Sequence, residues 1–310
     1  MTLKAINQSD PVVTFNTSSG SFVVELFNAQ APVTVANFLK YVNAGFYSNT
    51  LFHRVIDKFV AQGGGYTLTG PTTIDIKQTS APIPLESQTG LSNTRGTIAM
   101  ARTDVPDSAT SQFYINVADN TGLNYQSAGS PGYAVFGTVI AGMSVVDAIS
   151  KAPVTSVNNS PLTSFPYPFI TIASVKHTRL DTEGISGQAY RIYKAAFNRN
   201  PDAGGLGYWI AQMDKGMNVV EVAARFIDSV EFRSLYGQQP SNAEFLTKVY
   251  SNVLDRTPDQ AGLAWWVNEM NTNPTKTWQK VLADFSESAE NQANVASLIA
   301  NGIPYDPWTG

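Results

Sequence analysis

Near residue 180 the hydrophobic pattern changes its period, and that switch constrains the chain more than any other feature. Before it, apolar residues fall in short alternating runs, the spacing of β-strands; after it, they recur every third or fourth residue, the spacing of amphipathic helices. The chain has 310 residues, more than the roughly 100–200 of one ordinary domain. Two separate cores are therefore expected. We read a mainly β domain over residues 1–180 and a polar, Gly-containing linker at 181–187, Asp181-Thr182-Glu183-Gly184-Ile185-Ser186-Gly187. An all-α domain follows at 188–303, then a tail at 304–310.

In the first half, Val12–Thr17 and Ser21–Phe27 flank Ser18-Ser19-Gly20, a hairpin signal. Further strands are predicted at Leu51–Ile56, Thr97–Arg102, Gln112–Val117, Ala134–Val139 and Ile170–Lys176. One helix is predicted from Val33 to Ala44, with Pro32 at its first turn and Gly45 just beyond its end. Its stripe of Val35, Phe38, Leu39 and Val42 faces a core, and a second helix covers Met143–Ser150. Many short strands with few helices predict a barrel or a sandwich; the pattern does not choose between them.

The second half contains a duplication. Tyr193, Arg199, Pro201-Asp202, Leu206 and Trp209 return 57 residues later as Tyr250, Arg256, Pro258-Asp259, Leu263 and Trp266. Downstream, Phe226-x-x-Ser229-x-Glu231 returns as Phe285-x-x-Ser288-x-Glu290. Matches in this order define a repeat. Each unit is predicted as a helix, a Pro-Asp turn, a second helix, a link and a third helix. Asp202 and Asp259 suit the N-cap of the second helix, where a carboxylate accepts free amide hydrogens. Trp209 and Trp266 are expected in the core, and Arg199 and Arg256 are expected to tie the turn to a nearby carboxylate or carbonyl. A spaced acidic Ca²⁺ loop is missing.

Composition then removes most chemistries. Charged residues make up only 14% and the formal charge is −4, which argues against a disordered chain and against nucleic-acid binding. No run approaches the roughly 18 apolar residues of a membrane span. With no cysteine, and only His53 and His177, thiolate and His-based metal sites are not expected. Neither histidine lies in a nucleophile motif, and Gly63-Gly64-Gly65 lacks the Lys-Ser/Thr of a phosphate loop. The opening Met1-Thr2-Leu3-Lys4-Ala5 shows no apolar signal core. Low charge, the missing cysteine and many Asn, Ser and Thr favour an exported bacterial protein, extracellular or periplasmic. What remains for chemistry is a guanidinium among apolar and amide groups, in Phe52-His53-Arg54-Val55-Ile56-Asp57-Lys58-Phe59-Val60-Ala61-Gln62-Gly63-Gly64-Gly65.

At this segment the sequence resembles the cyclophilins, the peptidyl-prolyl cis-trans isomerases. The second part of the resemblance is Arg95-Gly96-Thr97-Ile98-Ala99-Met100-Ala101-Arg102-Thr103, followed by Ser108-Ala109-Thr110-Ser111-Gln112-Phe113-Tyr114-Ile115-Asn116. The third is Tyr133-Ala134-Val135-Phe136-Gly137-Thr138-Val139 with Gly142-Met143. Together they span about residues 11–178 and look like the bacterial, periplasmic-type branch. The resemblance implies a closed eight-stranded antiparallel barrel capped by two helices, acting on proline-containing polypeptides without a cofactor. Rotation about an X-Pro bond breaks amide resonance, a barrier near 20 kcal/mol. It needs neither nucleophile nor metal, which suits this residue inventory.

By the same resemblance Arg54 is the catalytic donor to the twisted imide nitrogen. Phe59, Val60, Tyr114 and Leu123 would receive the proline ring, with Gln62 bonding the substrate backbone. Ala101, Arg102 and Thr103 match the segment that pairs with the peptide before the proline, and Gln112 lines the adjacent pocket. Tyr133 stands where a histidine often closes the proline pocket. Three departures carry expectations. Gly122 replaces a common aromatic, which implies weak cyclosporin binding and an open rim. Tyr114 replaces a phenylalanine, so its hydroxyl needs a partner. Arg102 replaces a frequent asparagine and adds a cation, favouring acidic substrates. Phe52, Phe113 and Phe136 alternate with these residues and are expected in the barrel core, and His53 is expected to be structural.

The helical half resembles, over about residues 188–295, a bacterial domain of undescribed function found in exported and cell-surface proteins. It is expected to be a compact bundle without a catalytic role, contacting another protein or a cell-surface component. The competing expectation is a barrel that only binds proline-containing peptides, anchored to a surface or assembly by the helical repeats.

Overall fold

The computed structural model describes residues 7, 10–71, 73–157 and 164–309. The opening segment Met1–Ala5 lies outside the described residues. The chain divides into two compact units, one ending at Thr178 and the other beginning at Arg179.

The first unit starts with the hairpin β1 (Val12–Thr17) and β2 (Gly20–Leu26), followed by α1 (Pro32–Asn43). Next come β3 (Thr50–Ile56), β4 (Val60–Leu68), β5 (Ile74–Ile76), β6 (Thr97–Met100), β7 (Phe113–Asn116) and β8 (Val135–Ala141). The unit closes with α2 (Met143–Ser150), the short pair β9 (Val154–Thr155) and β10 (Phe165–Pro166), and β11 (Ile170–Arg179). The strands lie in the order β1-β2-β8-β6-β7-β4-β3-β11, and antiparallel pairing of β1 with β11 closes the ring. That closure decides for a barrel over a sandwich, as the resemblance implied. Among the described residues no helix is long and apolar enough to cross a membrane.

Inward-facing residues fill the barrel. Phe15, Phe22, Phe38, Phe52, Phe113 and Phe136 are all buried in one cluster, with Phe113 set edge-on to Phe15 and Phe52. Helix α1 covers this core with Val35, Phe38 and Val42. Its first-turn amides at Val33 and Thr34 donate to the Glu86 carboxylate, the favourable place for an anion. Strand β4, which holds the three successive glycines, is not among the strands predicted from the sequence. Here the glycines permit close packing. Gly64 takes φ +85°, and a Cβ there would sit 2.8 Å from the Phe113 ring.

The second unit has eight helices among its described residues: α3 (Ile185–Phe197), α4 (Ala203–Asp214), α5 (Val219–Ile227), α6 (Val230–Tyr236), α7 (Asn242–Leu254), α8 (Gln260–Thr272), α9 (Trp278–Ser286) and α10 (Ala289–Ile299). Each repeat therefore has four helices rather than the three predicted. The extra helix begins at the repeated serine: Ser229 accepts from the Phe232 amide at 3.1 Å, and Ser288 from the Asn291 amide at 3.2 Å. A serine that caps a new helix also stops the one before it. Asp202 and Asp259 cap α4 and α8 as expected, through the Gly205 and Gly262 amides at 2.7 and 2.8 Å. Arg199 pairs with Glu231 and Arg256 with Glu290, so each repeated Glu is the carboxylate its repeat's arginine requires. Trp209 and Trp266 are half-buried against Phe226 and Phe285 rather than fully in the core.

Two boundary readings change in detail. Helix α3 begins inside the stretch read as linker, because Asp181 accepts from the Ser186 amide and hydroxyl and so fixes its first turn. The tail is packed, not loose. Asp306 donates its amide to the Ala203 carbonyl at 2.9 Å, and its own carbonyl lies so close to Gly207 that no side chain fits there.

Candidate active site

The site is built on the outer face of the barrel by one irregularity in β3. Regular alternation would place Phe52 and Arg54 on the same side. Between them the β3–β4 register shifts, so that His53 and Arg54 together stand opposite Gln62. This is a β-bulge, and it turns both side chains outward while Phe52 and Val55 both face the core. From Arg54 a row of directly paired residues crosses the sheet: Gln62 on β4, Tyr114 on β7, Ala99 on β6 and Val135 on β8.

Along this row lies a small apolar cluster separate from the barrel core. Val60, Ala99, Tyr114 and Val135 are buried in it, and Phe59, Leu91, Ala101, Leu123 and Tyr133 pack against them. Six of the residues named from sequence thus come together: Phe59, Val60, Ala101, Tyr114, Leu123 and Tyr133. Three more form a polar chain on its edge. Arg54 Nη1 donates to Gln62 Oε1 at 3.4 Å, and Gln62 Nε2 donates to Gln112 Oε1 at 3.3 Å. Gly65 makes room for this chain, since a Cβ there would lie 2.6 Å from the Gln112 side chain. Thr103 stands apart on an exposed loop, bonded to Ser108.

Arg54 is half-buried, with its guanidinium 5.7 Å from the centre of the Phe59 ring. No carboxylate lies within ion-pair distance of it among the described residues. A guanidinium has five N–H donors, and one long bond to Gln62 leaves most of them available. Neighbouring His53 is different. It is buried between Tyr66 and Phe165, and its Nδ1 has no hydrogen-bond partner. Burial, helped by the charge of Arg54, lowers its pKa to about 4, so the ring is neutral at pH 7. The expected structural role of His53 agrees with this placement.

The Tyr114 hydroxyl has the partner that its departure from phenylalanine called for: Asn93 Oδ1, at 2.7 Å. Burial, with the Tyr133 phenol nearby, holds the Tyr114 pKa well above the usual phenol range. Asn93 belongs to a polar network that sequence reasoning missed. Asn116 donates to Asn93 and Thr97, Asn120 donates to Asn116 Oδ1 and to the Phe59 carbonyl, and Asn124 accepts from the Asn93 amide. These bonds fix the backbone at Phe59 and the 3-10 turn that carries Leu123. The signal available was Asn116, an amide two residues after Tyr114 and so on the same strand face. Gly122 is exposed, with nothing within 4 Å of where a side chain would begin, so the rim is open there.

Comparison with known proteins follows the same division. Residues 12–177 match the model of the cyclophilin type peptidyl-prolyl cis-trans isomerase family, and residues 223–295 match a domain of unknown function, DUF4214. A peptidyl-prolyl cis-trans isomerase of Acinetobacter baylyi is 52% identical over 145 residues, covering 47% of this chain and 74% of that protein. Peptidyl-prolyl cis-trans isomerase B of Escherichia coli is 51% identical over 140 residues, covering 44% and 83%. A crystal structure of a cyclophilin type peptidyl-prolyl cis-trans isomerase from Cryptosporidium parvum is 26% identical, with a TM-score of 0.44, and covers 55% of this chain and 98% of that one.

Proposed function

The chain belongs to the cyclophilin type peptidyl-prolyl cis-trans isomerase family and is an isomerase of X-Pro bonds; from that premise we propose how this molecule performs the reaction and on what. Its substrates are exposed X-Pro bonds in folding polypeptides, and the reaction uses no cofactor. The proline ring rests on the apolar cluster of Phe59, Val60, Tyr114 and Leu123, with Tyr133 at its edge. Gln62, held between Arg54 and Gln112, bonds the substrate backbone next to the proline.

Arg54 supplies the rate. As the X-Pro bond twists, the nitrogen loses conjugation and its lone pair becomes a hydrogen-bond acceptor. A permanently charged donor at that point stabilises the twisted state more than either planar isomer. A gain of about 10⁵ in rate requires about 7 kcal/mol of such preference. The donor and a solvent-poor apolar face together can provide it. No proton has to move, which suits a site whose only histidine is neutral and buried.

The observation that carries this reading is a half-buried guanidinium without a carboxylate partner among the described residues, at the margin of an isolated apolar cluster. The test is a protease-coupled proline-peptide assay on Arg54→Ala, with circular dichroism to confirm folding. We expect kcat/KM to fall more than about tenfold, or roughly 1.4 kcal/mol. A folded variant within about twofold of the parent would refute Arg54 as the donor. Arg54→Lys keeps the charge but not the planar fork, and is expected to recover only part of the loss.

A further inference from the structure

The second arginine at this site, Arg102, has its donors already directed. Its Nε donates to the Gly132 carbonyl at 2.9 Å, and its Nη1 to the Thr103 carbonyl at 2.7 Å. Its guanidinium lies 4.6 Å from the centre of the Tyr133 ring, well within cation–π range. Tyr133 in turn meets Tyr114 edge-on, with ring centres 5.7 Å apart, and the Tyr114 hydroxyl is bonded to the buried Asn93. The Tyr133 amide donates to the Leu123 carbonyl, which ties the same ring's backbone to the other wall.

We propose that Arg102 is a positioning residue for the proline-binding face: it clamps Tyr133 from behind and so holds the rim against Tyr114 and Leu123. The inference rests on the reading of the Arg54 site given above. Tyr133 belongs to a loop, and the residue before it, Gly132, is so tightly placed that a Cβ would meet the Asn124–Tyr125 backbone at 2.5 Å. A planar cation can grip the Gly132 carbonyl and cover the adjacent ring at once, whereas an ammonium offers no flat face. Facing Tyr133 in this way, Arg102 acts through packing and not as a free charge for acidic substrates. Substitution therefore alters how firmly proline is held and leaves the twisted-state donor, Arg54, in place.

The experiment measures kcat and KM separately for Arg102→Ala, Arg102→Lys, Tyr133→Ala and the double variant. It uses the full chain and peptides with Glu, Ala or Lys before the proline. The clamp predicts that Arg102→Ala raises KM about fivefold, with kcat within about twofold, equally for all three peptides. It also predicts that Tyr133→Ala reproduces the change, that the double variant is no worse than either single one, and that Arg102→Lys does not restore KM. Loss confined to the Glu peptide, or full recovery by Arg102→Lys, would mean that charge is what matters and would overturn the clamp. So would additive losses in the double variant. Arg54→Ala in the same assay keeps the two ideas apart. If it is inactive while Arg102→Ala is unchanged, only the clamp fails; if Arg54→Ala is fully active, the site reading fails first.

Discussion

Arg54 of the barrel and Arg191 of the helical unit are both guanidiniums taken partly out of water, and they have opposite fates. Arg54 makes one long bond to an amide and meets no carboxylate among the described residues. Arg191, with a side chain only 4% exposed, is gripped by both oxygens of Glu287 at 2.6 and 2.9 Å and by the Thr182 carbonyl. Arg199 and Arg256 repeat the Arg191 pattern at the surface, each with its own glutamate. A neutralised, fully bonded cation holds a fold together. An unneutralised one at an apolar face still has donors for a ligand. The contrast is one between individual arginines, since the barrel also holds a neutralised one, Arg95, bonded to both oxygens of Asp147.

The largest way to test this division is Arg191→Ala. Removing one member of a buried pair leaves the other charge without compensation, at about 3–5 kcal/mol; the partial exposure of Glu287 places the cost near the low end. All five tryptophans of the chain lie beyond residue 200, so tryptophan fluorescence reports the helical unit alone. The expected result is a urea midpoint lowered for the fluorescence signal, with isomerase turnover within about twofold of the parent. A parallel fall in turnover of the still-folded protein would break the comparison, because the helical unit would then be supporting the catalytic face.

The two units also differ in how legible they were. In the helical unit the repeat carried its own explanation: the Asp caps, and the need of each arginine for a nearby carboxylate or carbonyl, followed from local rules. The fourth helix did not, because a Ser between two short apolar runs reads equally as a link. In the barrel, alternation identified Phe52, Phe113 and Phe136 as core, but alternation is what β3 violates at the site. Nothing in the residues His53-Arg54 announces a bulge; it arises from pairing with the glycine-rich β4, which is not among the predicted strands. The placing of Arg54 beside Phe59 and Gln62 thus came from resemblance to a family, and its geometric cause came only from the register. The Asn93–Asn116–Asn120 network stayed hidden for a related reason. Its members are far apart in sequence and gain meaning only when β7 brings Asn116 under the loops.

A second, somewhat smaller effect separates the units by pH. His53 in the folded barrel titrates at about 4, against an ordinary value near 6.5. Between those values the unfolded chain binds a proton that the folded chain refuses. The contribution is therefore complete above about pH 6.5, declines as pH falls toward 4, and amounts to about 3 kcal/mol over that window. The helical unit, from Arg179 on, has no histidine. Its Asp202 is held below the usual range by the Gly205 amide, and its Glu290 by Arg256. Their stabilisation is present above the ordinary carboxylate values and is lost only as pH falls below them. Hydrogen exchange at pH 7 and pH 5 should show the barrel loosening while the helices hold. In His53→Gln the barrel's slope across that interval should flatten. An equal slope in the variant would remove His53 as its source.

The smallest expected effect belongs to the surface pairs, and it is informative because it should be small. Arg199 and Arg256 are each nearly half exposed, as are Glu231 and Glu290, so water and salt screen both pairs. Alanine at either position is expected to lower the helical unit's stability only slightly, and by much less than Arg191→Ala. The two should still differ. Arg199 also donates to the Tyr193 hydroxyl at 2.7 Å and lies 4.9 Å above its ring, while Arg256 covers Tyr250 at 5.1 Å and has no such hydroxyl bond. Arg199→Ala should therefore be the costlier, and raising the salt concentration should shrink the pairing part without removing the difference. A double-mutant cycle with Glu231→Gln and Glu290→Gln, read by tryptophan fluorescence in urea, isolates that part. If either pair proved as costly to lose as the Arg191 pair, exposed and buried guanidiniums of the helical unit would be doing the same job. Degree of burial would then no longer rank them.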